Sequence, residues 1–301
     1  MPQTYTIRMN YFKFFLTFLL LISFASNGQS KYEFFGTLQL NGSAKSMITY
    51  RLEFSNTNGK ISGFSITDIG GAHETKNIIV GTYDKVTKAF SFKETDIIYT
   101  KSELSSNIFC FVNFTGKVDL NKQLGKIEGN FKGLYKNKTK CIDGTLTMAA
   151  LKKITETVAK YTKKVKKSSK FDDQTKEQIQ SFSVADSLTA NKLTKGQNLN
   201  LFVASDEIEI EIWDSQTEDG DRIDLYHNTL HVLDNYTVTS KRKIVKVKLP
   251  TEKNVFRITA LNEGARKFNT TTIRLVDNKQ FIELTTNLNK GENASITIVK
   301  K

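Results

Sequence analysis

The run IFCFVNFTGKV (residues 108–118), followed by GKIEGNFKGLY (125–135) and CIDGTLTM (141–148), decides how this chain folds. Each run is short and alternating, and is bounded by turn residues, the pattern of a strand with one buried face. Five more precede them: YEFFGTLQL, SMITYRLEF, ISGFSITDI, NIIVGTY and AFSFKE. Turn signals such as Asn41-Gly42, Asn58-Gly59 and Gly70-Gly71 separate them. Glycines also fall inside the runs, at Gly36, Gly63, Gly81, Gly116, Gly129 and Gly133. Glycine within a strand marks bulges, sharp coiling or close backbone approach. Eight short antiparallel strands over residues 31–148 predict an all-β unit, either a small antiparallel barrel or a flattened sandwich.

Working outward, residues 149–165 change period. Leu151, Ile154, Val158, Tyr161 and Val165 recur at intervals of three and four, one apolar stripe on a helix. Lys152, Lys153, Lys160, Lys163, Lys164, Lys166 and Lys167 cover much of the remainder. Residues 149–197 thus read as a basic helical connector running into a polar linker, in which a short helix from Asp172 is possible. Residues 198–301 return to about nine alternating runs, which predicts a C-terminal β-sandwich.

The first 28 residues read as a signal peptide. Arg8 and Lys13 precede FFLTFLLLISF (14–24), too short to span a bilayer comfortably and of the length of a secretory apolar region. Cleavage is expected after Gly28, with Ala25 a close second. No cysteine precedes Cys110, so a lipoprotein anchor is not expected, and no later run is long enough for a transmembrane helix. The mature chain is therefore expected to be exported, either periplasmic or extracellular.

The net charge of the 301-residue chain is +13. Residues 152–170 hold eight lysines and one acid, Glu156, so the basicity belongs largely to the connector. Its bland reading is a helix that packs by its stripe and solvates its lysines. The sharper one is a surface that meets anionic lipid or another polyanion. Nucleic acid is not an expected partner, because export separates the protein from it. Hydrophobic residues make up 39% of the chain, with 21 Phe and 10 Tyr, enough for real cores. The two cysteines, Cys110 and Cys141, are expected to form a disulfide in an oxidising compartment. Closing a loop of that size stabilises by roughly 3–4 kcal/mol in the chain-entropy model.

Three stretches could carry chemistry. Asp214, Glu218, Asp219 and Asp221 place four acids in eight positions. They could hold calcium, but the alternation and closing glutamate of an EF-hand are missing. Asp219-Gly220-Asp221 reads better as a solvated turn between strands. His227 and His231 are four apart, but Asn228-Thr229 fits a two-residue hairpin loop, which would put them on opposite arms. In DIGGAHETK (68–76), Gly70 and Gly71 permit unusual backbone angles, and His73 beside Glu74 could move protons or line a binding loop. No serine or cysteine nucleophile is visibly paired with them. There is no glycine-rich phosphate loop and no zinc signature, so no cofactor is expected.

The run IEIWDSQTEDGDRIDLYHN (210–228), with NYTVT (235–239) and ALNEGARKFNTTTIRL (260–275), resembles a small β-module of secreted Bacteroidota proteins. The matching residues are Asp214, Asp219, Gly220, Asp221, Asn228, Asn262, Glu263, Gly264, Asn269 and Thr270. The chain departs from that module at Thr229, where glycine is usual, and at Arg266-Lys267-Phe268, where a double proline is missing. Residues 31–148 are similar to another exported β-domain of the same phylum, through GFSITDIGGAHETKNIIVGTYD (63–84), IIYTKS, FCFVNFTGKV and KCIDGTLTM. These resemblances imply fold and location and no reaction; in such modules the acids look like turn and interface residues. The expected function is a non-catalytic exported protein that binds an envelope protein or glycan. Alternatives are a small-ligand carrier using the barrel interior, or a hydrolase without a recognisable motif.

Overall fold

The computed structural model describes residues 30–42, 47–103, 109–120, 125–172, 174, 191–265, 268–278 and 280–301. Residues 1–28, read above as a signal peptide, lie outside the described residues, as does most of the polar linker.

The chain is all-β. Strands β1 (Lys31–Leu40), β2 (Met47–Thr57), β3 (Lys60–Thr67), β4 (Thr75–Tyr83), β5 (Ala89–Thr100), β6 (Phe111–Lys117), β7 (Lys126–Leu134) and β8 (Lys140–Ala150) follow one another as an antiparallel meander. β8 pairs back on β1, Leu38 facing Leu146, and closes the barrel. Closure demands strong coiling, and the glycines supply room for it. A Cβ on Gly36 would stand 1.9 Å from the Thr147 carbonyl oxygen, so no other residue fits that crossing.

Side chains fill the barrel. Tyr50, Leu52, Phe54, Ile79, Phe90, Phe114, Ile127, Leu146 and Met148 are buried almost completely. The rings stack, with centroids 5.1 Å apart for Phe54 and Phe90 and 5.4 Å for Phe92 and Phe114. This is the packed interior that a barrel of eight strands leaves room for. One charge-bearing group is buried among them. The Glu94 carboxylate accepts from the Tyr50 hydroxyl (2.9 Å), the Ser65 hydroxyl (2.5 Å) and the Val112 backbone N–H (2.7 Å). Burial raises its pKa above the usual carboxylate value.

Glu94 marks the place where the sheet splits. β5 pairs with β6 from Ala89–Lys117 to Lys93–Asn113 and then parts from it. At the next step the Glu94 side chain takes the Val112 N–H. The freed end of β5 continues into a second unit. Tyr99 pairs with Leu201 and Thr100 with Asn200 on β10 (Asn198–Val203).

That second unit is a β-sandwich. Its first sheet runs β13 (Leu230–Thr237), β12 (Arg222–His227), β15 (Lys253–Ala260), β18 (Asn293–Lys300), β10, and is continuous through β5 with the barrel. Its second runs β14 (Lys243–Lys248), β11 (Glu207–Trp213), β16 (Thr272–Asp277), β17 (Gln280–Asn287), β9 (Lys192–Thr194). Strand β9 falls in the stretch that the sequence reads as linker; with three residues it is too short to show a period. The inner faces bury Leu199, Ile210, Ile212, Ile223, Ile258, Ile296 and Ile298. Tyr99 of the barrel strand is part of this core.

The helix expected after the barrel is α1 (Leu151–Lys167). Val165 is buried, Leu151, Ile154 and Val158 are half-buried, and Tyr161 remains 60% exposed. The seven lysines of its polar face, Lys152 to Lys167, are exposed. No helix among the described residues is long and apolar enough to cross a membrane. Cys110 and Cys141 are joined by a disulfide, their Cα atoms 6.2 Å apart. Gly133 lies against it: a Cβ there would fall 2.4 Å from Cys110 Sγ and 2.8 Å from Cys141 Sγ.

Candidate functional site

The glycine loop before β4 lies at the junction of barrel and sandwich. Asp68 and Gly70 take positive φ, and Gly71 N–H closes the turn on the Asp68 carbonyl at 2.8 Å. Glu74 points inward and is 2% exposed. Its carboxylate accepts from Gly70 N–H at 2.6 Å and from the Tyr99 hydroxyl at 2.9 Å. Lys101 Nζ stands 3.5 Å from the same group, both side chains being almost fully buried, and also donates to the Lys192 carbonyl at 3.0 Å. Asn200 Nδ2 donates to the Ser102 carbonyl at 2.9 Å. Glu74 is therefore bonded into the seam between the units, on the side away from solvent.

His73 is exposed and does not meet Glu74. Its Nδ1 lies 3.1 Å from Ser102 Oγ. The sequence shows no such serine because the pair is 29 residues apart and is assembled by the β4–β5 pairing. A serine and a histidine in contact form part of a nucleophilic centre. No carboxylate among the described residues orients the ring through its other nitrogen, and the pair is open to water.

Beside the seam, the outer face of β3 and β4 and strands β10, β16 and β17 enclose a groove of about 640 Å³. Its walls include Phe64, Ile78, Val80, Phe202, Phe281 and Ile282. Val80 is 38% and Phe281 59% exposed, more apolar surface than folding alone requires. Lys76 is the cation of this groove, its Nζ 3.7 Å above the Phe64 ring. Burial against these walls pulls its pKa down to about 8, partly opposed by the charge of Glu53.

That depression has a consequence for stability. Between about pH 8 and the ordinary lysine value the folded state holds fewer protons than the unfolded chain. Stability therefore rises with pH across that window, by at most about 3 kcal/mol for this residue. Urea midpoints of the wild type and Lys76→Met at pH 7.5 and pH 10 isolate the effect. The wild type is expected to gain on the variant at the higher pH. A constant difference would mean that the ammonium is solvated.

At the far end of the sandwich the structure gathers the four acids. Glu218 is exposed and bonds to the side chain and then the backbone N–H of Ser240, which lower its pKa. Asp214 and Asp221 depart from the solvated turn expected of them, with exposures of 5% and 1%. Asp214 accepts Gln216 N–H at 2.8 Å through one oxygen, and its Oδ2 is buried without a hydrogen-bond partner among the described residues. Asp221 accepts Thr270 N–H at 2.7 Å through Oδ2, and its Oδ1 is likewise buried without one among the described residues. Burial first, then the charges of Asp219 and Asp214, raise the Asp221 pKa to about 6.

The loops around these acids lock together. Asn262 accepts from Arg222 N–H and donates to the Gly220 carbonyl, each at 2.7 Å. Asn269 donates to the carbonyls of Arg222 and Asn262. Gly264, at φ +57°, closes over the acids: a Cβ there would fall 2.5 Å from Asp219 Oδ1 and 2.8 Å from Asp221 Oδ1. Next to Asp214, Trp213 faces away from the isoleucine core and lies beneath the guanidinium groups of Arg242 (4.4 Å) and Arg274 (5.4 Å).

The two histidines lie on opposite arms of the β12–β13 hairpin, as expected. His227 is buried against Phe256 and pairs with Leu230 across the turn, in which Asn228 takes φ +53°. His231 is exposed and joins Asp224 and Asp234, the one trio of potential metal ligands among the described residues whose donor atoms lie within 4.8 Å of one another. Its ring is stacked on Tyr226, and Asp224 is bonded to Asn235 N–H. No protein family, curated protein or solved structure matches this chain.

Proposed function

We propose that this is a non-catalytic, exported binding protein whose partner, a protein or glycan of the cell envelope, seats in the groove between barrel and sandwich. The observation that carries the reading is the groove itself: concave, largely apolar, at a domain interface, and lined also by the charged side chains of Lys76, Glu53 and Asp277, which would orient what binds. The disulfide supports export, since such bonds persist in oxidising compartments. The resemblance of both units to exported Bacteroidota modules points the same way. A carrier function would need a chamber, and the barrel interior is occupied by its own aromatic side chains. A hydrolase would need more than the exposed His73–Ser102 contact.

A photo-crosslinking residue at Phe281 tests this, with the same residue at Val86, 91% exposed on the barrel, as control. In intact cells, position 281 and not 86 is expected to capture one envelope component. The purified component should bind the wild type and lose at least tenfold in affinity to Phe281→Ser. Equal capture at both positions, or unchanged affinity, would overturn the assignment.

A further inference from the structure

We propose that the acids at the far end of the sandwich, Asp214, Asp219 and Asp221, form a calcium site. An acidic turn on its own would not suggest this. The geometry does, because two of these side chains are more than nine-tenths buried and each buries a carboxylate oxygen that has no hydrogen-bond partner among the described residues. A buried, unsatisfied acceptor is costly, and a buried carboxylate much more so. Sequences keep such groups where a cation compensates them.

The placement fits an ion. Asp219 Oδ1 and Asp221 Oδ1 face the same small space beside Gly264, the residue that would fill it if it carried a side chain. Gly264 is exposed, so the space lies directly beneath the surface. The donors are all hard oxygens, with no histidine or cysteine among them, which selects calcium or magnesium over zinc. The three acids are more widely spaced than the Asp224–His231–Asp234 trio. Ligand oxygens on one ion lie at most about two metal–oxygen bonds apart, so binding would draw these acids together, by less for calcium, with its longer bonds and irregular geometry, than for magnesium's strict octahedron. The remaining positions would be taken by backbone carbonyls and water.

Trp213, the only tryptophan, adjoins Asp214 and supplies the probe. With the full mature chain, terbium bound at these acids should luminesce on tryptophan excitation, and calcium should displace it. In melts, calcium at a hundredfold excess over its Kd should raise Tm by roughly 5–10 °C, reversed by EDTA. Asp221→Asn removes one like charge and keeps the shape, so in EDTA it should melt at or above the wild type. It should also lose the calcium response and most of the terbium signal. A wild-type melt indifferent to calcium would overturn the site. So would a terbium signal retained in Asp221→Asn and lost in Asp224→Asn, which would put the ion on the His231 hairpin.

Discussion

Replacing Lys101 by methionine is expected to lower stability by about 3 kcal/mol, the cost of leaving a buried carboxylate without its counter-charge. The Lys101 and Glu74 side chains are only 2% and 3% exposed, so water cannot take the place of the lost ammonium. Methionine fills nearly the same volume, which keeps cavity formation out of the measurement. Glu74 would keep the Tyr99 hydroxyl and Gly70 N–H, and this holds the loss to about that figure rather than more. In a chain of this size it should appear as a fall in Tm of roughly 6–12 °C. The double change Lys101→Met with Glu74→Gln removes both charges and should recover much of the loss, because residues in contact are not additive. If the double variant were instead as unstable as the sum of the two single ones, the pair would have no special role at the seam.

Replacing both Cys110 and Cys141 by serine should cost about 3–4 kcal/mol, from a sequence separation of 31 residues. The bond ties the approach to β6 to the start of β8 and so staples the last three barrel strands. Denaturation with and without a thiol reductant reads this directly. The wild type should lose most of the difference on reduction, and the double variant should be insensitive to reductant. Gly133→Ala should be comparably harmful in the oxidised protein, since its methyl would meet both sulfurs and the Ile142 carbonyl oxygen at 2.2 Å. A reductant-insensitive wild type would show that the bond does not constrain the unfolded chain.

Strand identities were legible because alternation is local: each barrel strand contains most of one of the short runs read along the chain, although β5 continues to Thr100, well past the run AFSFKE, and α1 announces itself by its period. The disulfide was legible because only two cysteines exist. The joining of the two units was not. Tyr99 and Leu201 are a hundred residues apart, and a cross-strand partner leaves no mark on the local pattern of either strand. The acids were misjudged for a related reason. An Asp-Gly-Asp turn reads as solvated, and it is the approach of Gly264 and Thr270 from another connection that covers Asp221. Glu74 illustrates the same limit from the other side: beside His73 in sequence, it turns the opposite way in space.

The parting of β5 from β6 after Lys93 also bears on how the chain reaches its fold. A closed barrel exposes no strand edge, but among the described residues β5 parts from β6 over residues 94–100, and an open edge is a template for pairing with another molecule. The strand that covers part of it, β10, is made about one hundred residues after β5. During synthesis the barrel can therefore close while Tyr99 and Thr100 still wait for Leu201 and Asn200. The sandwich thereby acts as a guard against self-association. A fragment ending at Ala150 would carry the bare edge and tend to dimerise through it.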